Sequence, residues 1–254
     1  MVTIGIIGGS GLDDPEILQN PVENKIKTPY GTPSSVLTCG KIAGVDIAIL
    51  ARHGKKHTIR PSQVNFRANI WALKEFGCTH ILAATAVGSL REEIEPGHLV
   101  FPDQFIDFTR KREKTFFDED VVVHTPMAEP FCPNLRHLLA ESARKLHIPY
   151  HTGKTVITIE GPRFSTRAES HMFRSWNADV INMSSVPEVN LAREQKIHYA
   201  SAAMSTDYDC WREGEESVTW EMILATMKKN ASSVIKLFLH VIPKIKEYDD
   251  VCTD

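Results

Sequence analysis

Short apolar runs that end in small or polar residues recur along the chain, a pattern typical of buried β-strands. The first run, Val2–Ile7, stops at Gly8-Gly9-Ser10-Gly11, after which Leu12-Asp13-Asp14-Pro15 supplies helix-capping chemistry. The same pattern predicts further strands over Val45–Ala51, Ile81–Ala86, Leu99–Pro102, Thr155–Ile159, Val180–Met183 and Tyr199–Met204.

Between these runs lie segments in which apolar residues recur at helical spacing. One starts at Pro61-Ser62 and closes at Gly77, a residue favoured just past a helix end. The longest carries an apolar stripe from Trp220 to Phe238, and we expect Pro243 to end or kink it. The pattern predicts helices over 61–76, 134–146, 167–176 and 220–242, with another helix start after Ser184-Ser185.

Strands and helices alternate over the whole length of the chain. The sequence contains no internal repeat, no low-complexity tract and no Pro/Ser-rich linker that would mark a domain boundary. We therefore predict one α/β domain spanning residues 1–254.

Composition narrows the function classes. A chain of 254 residues with 42% hydrophobic residues buries about three-quarters of its unfolded surface without disulfide or metal staples. The formal net charge of −3 and an isoelectric point near 6.4 lack the broad basic footprint of a general nucleic-acid binder. We expect no nucleic-acid partner.

The five cysteines are odd in number, widely spaced and free of any CxxC pair, so we expect reduced thiols and no metal site. The first residues show neither a basic leader nor a cleavage-site pattern, and the apolar runs are shorter than the ~18 residues of a membrane span. These features favour a cytoplasmic location, with the nucleus as a second compartment in a eukaryote, and argue against secretion or membrane insertion.

The glycine turn at Gly9-Ser10-Gly11 fits only part of a dinucleotide-binding motif, because Asp14 stands where the third glycine is needed. The turn also lacks the Lys-Ser/Thr of a Walker A loop. Its backbone N–H groups and the Ser10 hydroxyl can hold a small anion such as phosphate. The alternative is an ordinary tight turn from strand to helix.

Two other loops follow predicted strands. Arg52-His53-Gly54 offers a forked donor and an imidazole that suit an oxyanion, or else a solvated basic loop. Asp207 and Asp209 place two acceptors at a strand end, suited to an amino group and a protonated ring nitrogen, or else to capping. Phe164 can stack on a flat ring or serve packing.

Several ordered blocks of this sequence resemble the trimeric purine nucleoside phosphorylase family over nearly the whole chain. The blocks are Gly8-Gly9-Ser10-Gly11-Leu12, Ala51-Arg52-His53-Gly54, Asn69-Ile70-Trp71-Ala72-Leu73-Lys74, Gly88-Ser89-Leu90-Arg91-Glu92-Glu93, Thr158-Ile159-Glu160-Gly161-Pro162-Arg163-Phe164-Ser165 and Ala203-Met204-Ser205-Thr206-Asp207-Tyr208-Asp209-Cys210-Trp211. The resemblance implies a mixed central sheet surrounded by helices. It also implies attack of inorganic phosphate on the anomeric carbon of a purine nucleoside, with phosphate as co-substrate and neither a metal nor another cofactor.

The resemblance also implies the roles of individual residues. The phosphate site maps onto Ser10, Arg52, His53, Thr85, Ser184 and the backbone of Ala86. The ribose contact maps onto Met183, and the base site maps onto Phe164, Ser165, Thr206, Asp207 and Asp209, with Asp207 and Asp209 as the catalytic pair. His124 is similar to a residue that a neighbouring subunit lends to the 5′ end of the sugar, which implies a homotrimer with shared active sites.

The resemblance implies that the substrate is 5′-methylthioadenosine, giving adenine and 5-methylthioribose 1-phosphate in purine and methionine salvage. Two carboxylates accept from an adenine N6 amino group but leave a 6-oxo purine without a donor. Trp220, Ile223 and Leu224 match an apolar wall for the methylthio group, or an ordinary core stripe. The alternatives are a phosphorylase acting on adenosine, inosine, guanosine or methylthioinosine, and a non-catalytic nucleoside-binding module.

Overall fold

A computed structural model of the chain describes residues 2–8, 17–117, 121–212 and 220–247, with side chains of the last range described at 226 and 230–245. The strands are β1 (Thr3–Gly8), β2 (Gln19–Asn24), β3 (Leu37–Ile42), β4 (Val45–Ala51), β5 (His80–Ser89), β6 (Leu99–Phe101), β7 (Gln104–Phe108), β8 (Tyr150–Thr152), β9 (Thr155–Ile159), β10 (Val180–Asn182) and β11 (His198–Asp207). The helices are α1 (Phe66–Glu75), α2 (Pro133–Lys145), α3 (Arg167–Ser175), α4 (Ser185–Glu194) and α5 (Trp220–Glu247), and Pro61–Gln63 forms a short 3-10 helix.

One mixed sheet contains all the strands of the described residues. Its main path runs β2-β3-β4-β1-β5-β10-β9-β7, and β11 joins β5 to the β6–β8 pair. Strands β4, β1, β5 and β11 are mutually parallel, whereas β2–β3–β4, β5–β10 and β11–β6 are antiparallel contacts. This architecture confirms the predicted α/β fold with a mixed central sheet.

Helices cover both faces of the sheet, which explains why the sequences of its central strands are continuously apolar. Alternate residues of β1 enter different clusters. Ile4 and Ile6 pack with side chains of α2 and α5, whereas Ile7 packs with α1 and α4. Two helix pairs therefore cover the two faces of the sheet. Within the described part of the chain, no helix combines the length and apolar content needed to cross a bilayer.

Strand β5 changes partners along one edge, and this change shapes the site described below. One edge pairs with β11 from His80 to Gly88. The other edge pairs with β1 over His80–Ala83 and with β10 over Gly88–Ser89. Among the described strands, residues 84–87 have no strand partner on that second edge, and we call this stretch the sheet gap.

Several predicted boundaries were wrong by one to five residues; strand β11, predicted over Tyr199–Met204, runs from His198 to Asp207, and further differences occur in α1, β5 and α5. The helix expected from Pro61 begins at Phe66, because Asn65 caps it by accepting a hydrogen bond from the Ala68 amide at 3.1 Å. Strand β5 does not end at Ala86 but continues through Ser89. Helix α5 does not end at Pro243 but continues to Glu247.

Candidate active site

A cavity of about 450 Å³ lies at the carboxyl ends of the central strands, where ligands bind in open α/β sheets. The sheet gap forms one wall, so the cavity occupies the place that a neighbouring strand would take. The sequence-predicted residues that line it are Arg52, His53, Thr85, Ala86, Phe164, Ser165, Met183, Ser184, Thr206, Asp207 and Asp209.

Arg52, directly after β4, is buried with only 3% of its surface exposed. Its Nε and Nη2 donate to the two carboxylate oxygens of Glu188 at 2.7 Å each, and its Nη1 donates to the Ala84 carbonyl at 2.8 Å. Burial opposes the charged form of this guanidinium, but Glu188 outweighs that effect and raises the pKa of Arg52. Arg52 is therefore a fixed cation at this end of the cavity.

The Ala84 carbonyl also shows which way the backbone of the sheet gap faces. Because backbone groups alternate between the two edges of a strand, Ala86 presents its amide to the same edge as Ala84. That edge borders the cavity. The backbone N–H of Ala86 is thus available to an anion.

His53 follows Arg52 and is oriented by the main chain. Its Nδ1 lies 2.8 Å from the carbonyl oxygen of Ile59. A carbonyl only accepts hydrogen bonds, so Nδ1 carries the proton and Nε2 is the acceptor in the neutral ring. Burial, followed by the positive charge of Arg52, lowers the pKa of His53 to about 4.

Two hydroxyls complete the same end of the cavity. Oγ1 of Thr85 and Oγ of Ser184 lie 2.7 Å apart, and both residues are buried. The turn that carries Ser184 is held by Asn182, whose Nδ2 donates to Ser185 Oγ at 2.7 Å. The Arg52 donors that Glu188 and the Ala84 carbonyl do not use, the two hydroxyls and the open backbone edge together form a pocket suited to an oxyanion.

Asp207 and Asp209 lie at the other end of the cavity, where β11 ends. The Thr206 hydroxyl donates to Asp207 Oδ2 at 2.6 Å, and the Asp209 amide donates to Asp207 Oδ1 at 2.8 Å. Asp209 has a left-handed backbone, with φ of 50°. The chain therefore bends between the two aspartates, and both carboxylates line one cavity.

The Asp209 carboxylate is in an unusual state for a buried acid. Its buried Oδ2 makes no hydrogen bond of ordinary geometry with the described residues, although the hydroxyls of Ser165 and Ser170 lie close enough to interact with this carboxylate. Burial raises the pKa of Asp209, although interactions with Ser170 and the Cys210 amide oppose the rise. A buried acceptor of this kind favours a ligand that brings an N–H donor.

Two glycines permit close approaches within the site. A Cβ on Gly88 would lie 3.0 Å from Asp207 Oδ1, so a side chain there would displace that carboxylate. Gly161 has φ of 65°, and its Cβ would lie 2.5 Å from the Met183 sulfur. Both positions therefore require glycine for the cavity to keep its shape.

Phe164 lines the cavity but remains 41% exposed. Its ring is outside the three core clusters, so core packing does not account for its position. An exposed aromatic face at the edge of a cavity is suited to stacking on a flat ligand.

Five predicted site residues are not brought into this cavity by the described structure. Ser10 lies outside the described residues, and Trp220, Ile223 and Leu224 lie in α5 at positions whose side chains are not described. His124 is exposed and borders a separate depression with Arg193 and Lys196.

Sequence reasoning missed two residues that hold the site together. Glu188 is fully buried against Arg52, and its sequence signal is an acid inside an apolar helical segment. Arg112 donates to the carbonyls of Val186 and Glu160 at 2.6 and 2.9 Å, so it connects the loop that follows β9 to the start of α4. No local signal distinguishes Arg112 from its basic neighbours.

The cavity therefore has one end rich in hydrogen-bond donors and one end rich in acceptors. Arg52 and the hydroxyls suit a phosphate, while Asp207 and Asp209 suit a group with two N–H donors. The described residues contain no cluster of three or more side chains able to hold a metal ion.

The chain is similar to proteins of known activity. A family model described as the phosphorylase superfamily matches residues 3–243. S-methyl-5′-thioadenosine phosphorylase of Danio rerio is 58% identical, with 98% of this chain and 90% of that protein covered. Methylthioadenosine phosphorylase from Schistosoma mansoni in complex with adenine gives a TM-score of 0.94 at 43% identity, covering 98% and 93% of the two chains. A mutant of the Schistosoma mansoni enzyme in complex with methylthioadenosine gives a TM-score of 0.93 at 42% identity, with the same coverage.

Proposed function

The chain belongs to the phosphorylase superfamily, and from that membership we propose that it catalyses phosphorolysis of 5′-methylthioadenosine to adenine and 5-methylthioribose 1-phosphate. One observation carries this proposal. A single cavity places an oxyanion pocket around Arg52 at one end and the Asp207–Asp209 pair at the other. The relatives whose names include this substrate support the choice of nucleoside.

The two ends of the cavity divide the chemistry. A phosphate oxygen attacks C1′ of the ribose while the bond from C1′ to purine N9 breaks, and the bonding electrons go to the departing base. The transition state has positive charge on the sugar and growing negative charge on the purine. Arg52, His53, Thr85 and Ser184 position the phosphate, so this step gains from proximity. Asp207 holds a proton at N7 of the departing base.

The carboxylate pair also selects the base. The N6 amino group of adenine donates to an unpaired acceptor such as Oδ2 of Asp209. The O6 atom of hypoxanthine or guanine would face a carboxylate and bring no donor, which a buried site rejects strongly. Adenine nucleosides are therefore the expected class, with inorganic phosphate as co-substrate and no cofactor.

A substrate panel tests this function. The protein is incubated with methylthioadenosine, adenosine and inosine, with and without phosphate, and the bases and sugar phosphates are separated by chromatography. Adenine release that requires phosphate supports the proposal. Release without phosphate indicates a hydrolase, equal use of inosine indicates a 6-oxopurine phosphorylase, and no release indicates a binding module.

A matched pair of variants ties the activity to the cavity. Arg52→Lys keeps the charge but removes the forked donors, so it should lower phosphate-dependent release by at least tenfold. Arg144→Lys makes the same change on the exposed side of α2 and should leave the rate unchanged. Equal rates for both variants would contradict the role of Arg52.

The proposal extends to a homotrimer in which His124 of one subunit reaches the sugar bound by its neighbour. The exposure of His124 and its absence from the lining of the cavity in its own subunit support this arrangement. Coexpressing Asp207→Ala with His124→Ala should restore activity, because some sites then combine two intact residues. No recovery in mixed assemblies, or an active monomer by light scattering, would contradict it.

We also propose a cytoplasmic location, which fractionation of the source cells tests.

A further inference from the structure

Glu188 pairs with the edge of the Arg52 guanidinium that carries Nε and Nη2. The two residues are 136 positions apart in sequence, and the two N–H···O bonds of 2.7 Å make the pair bidentate. Arg52 is 3% exposed and Glu188 is 0% exposed. The fork geometry fixes the plane of the guanidinium as well as its position.

Tyr199 in turn holds Glu188. Its hydroxyl donates to Glu188 Oε1 at 2.7 Å, and the side chain is buried in β11. The phenol ring is itself fixed by packing against Phe131, with ring centroids 5.9 Å apart. Three elements, the end of β4, helix α4 and strand β11, therefore converge on one guanidinium.

Some N–H donors of Arg52 are left free to bind a ligand. A guanidinium has five N–H bonds. Glu188 takes those of Nε and one on Nη2, and the Ala84 carbonyl takes one on Nη1. By these bonds two donors remain, one on each terminal nitrogen, and Tyr199, which also interacts with the guanidinium directly, helps to set their directions.

The same pair changes how the cation acts. The carboxylate of Glu188 cancels the formal charge of Arg52, and both are removed from water. An anion in the cavity therefore meets an oriented pair of donors rather than a net positive charge. Such a site depends on geometry, and small rotations of the guanidinium weaken it.

We propose that Glu188, locked by Tyr199, is a positioning residue that aims the two remaining N–H donors of Arg52 at the phosphate. The inference rests on the proposed function, because it assigns these two residues to the phosphate half of that reaction. Neither residue lines the cavity. Both act through Arg52, so they affect phosphate binding more than nucleoside binding.

The test separates the two substrates by kinetics. Tyr199→Phe removes one hydroxyl and keeps the ring, so the fold is retained. We expect it to raise KM for phosphate about tenfold, the loss typical of one hydrogen bond to a charged group. The kcat and the KM for methylthioadenosine should stay within about twofold of wild type. Tyr150→Phe, made on β8 outside the cavity lining, is the matched control and should behave as wild type.

Glu188→Gln is the stronger variant, because its amide NH₂ would face a guanidinium N–H, and Glu188→Asp should recover part of the loss by restoring a carboxylate. If Glu188→Gln does not fold, Tyr199→Phe alone decides. An unchanged KM for phosphate in Tyr199→Phe, or an equal rise in both KM values, overturns the proposal.

A binding measurement separates this inference from the proposed function. Calorimetric titration of wild type and Tyr199→Phe with inorganic phosphate alone does not depend on turnover. Weaker binding in the variant supports the positioning role even if wild type does not cleave nucleosides. Equal binding refutes the positioning role while leaving phosphorolysis intact.

Discussion

His53 is expected to make the protein less stable in mild acid. Burial, the charge of Arg52 and weaker electrostatic repulsion from His57 and Arg112 lower the pKa of His53 from 6.5 to about 4, against a smaller opposing effect of the Ile59 carbonyl. The folded state therefore resists a proton that the unfolded chain accepts. The free energy of unfolding should be constant above pH 7.5, fall from pH 6.5 to pH 4, and level off below.

The size of the effect follows from the two pKa values. With 6.5 in the unfolded chain and about 4 in the folded protein, linkage gives a loss of about 2 kcal/mol at pH 5 relative to pH 8. The full loss below pH 4 is about 3 kcal/mol.

Urea unfolding at pH 8 and pH 5 measures this loss in phosphate-free buffers, because phosphate would bind at the same site. His53→Gln keeps an N–H donor for the Ile59 carbonyl but does not titrate, so its loss should be about 2 kcal/mol smaller than that of wild type. His137→Gln, at an exposed position of α2, should lose as much stability as wild type. Identical losses in wild type and His53→Gln would refute the reasoning.

Three further changes test the base site, the core and a helix cap. Asp207→Asn places an amide donor at the purine edge where O6 adjoins N7, so the ratio of kcat/KM for inosine to that for methylthioadenosine should rise; an unchanged ratio argues against its role. Leu237→Ala, at a position with 0% exposure, should destabilise by about 2–5 kcal/mol in urea unfolding. Leu239→Ala, on the same helix with 39% exposure, should cost less than about 1 kcal/mol. Thr166→Ala removes the capping box of α3 and should cost about 1 kcal/mol, whereas Thr166→Ser should not.

The elements predicted correctly from the sequence are those whose pattern of apolar and turn residues lies within one short segment. Strands β4 and β9 have the predicted bounds because each is an apolar run between turn signals. Strand β2, with the sequence Gln-Asn-Pro-Val-Glu-Asn, was missed because it is an exposed edge strand without alternation. The local hydrophobic pattern therefore does not predict an exposed edge strand of this kind.

Packing overrode a strong local signal at Pro243. Val241, Ile242 and Ile245 are all buried, so this turn of α5 is held against the core. The carbonyl that loses its hydrogen bond belongs to Leu239, on the exposed face, so it is not left unpaired in the core. The rule about proline is local, whereas the burial that outweighs it depends on the tertiary structure.

For the site as well, local sequence predicted some residues, whereas others depend on the tertiary structure. The position of Arg52 after a strand predicted its place at the ligand edge of the sheet. Its partner Glu188 was not predicted, because the two residues are 136 positions apart and the residue pattern around neither one indicates the other. The roles of all the predicted site residues stay predictions, and the described structure does not place Ser10, His124, Trp220, Ile223 and Leu224 in the cavity.

The sheet gap has a consequence for the size of molecule that the protein accepts. An open strand edge normally attracts the strands of other chains and promotes aggregation. Here β1 and β10 close the edge at both ends, and four residues span only about 13 Å. A nucleoside with a phosphate fits that length, but an extended peptide or an oligonucleotide does not. By interrupting its own sheet, the protein makes an edge that only a small molecule can complete.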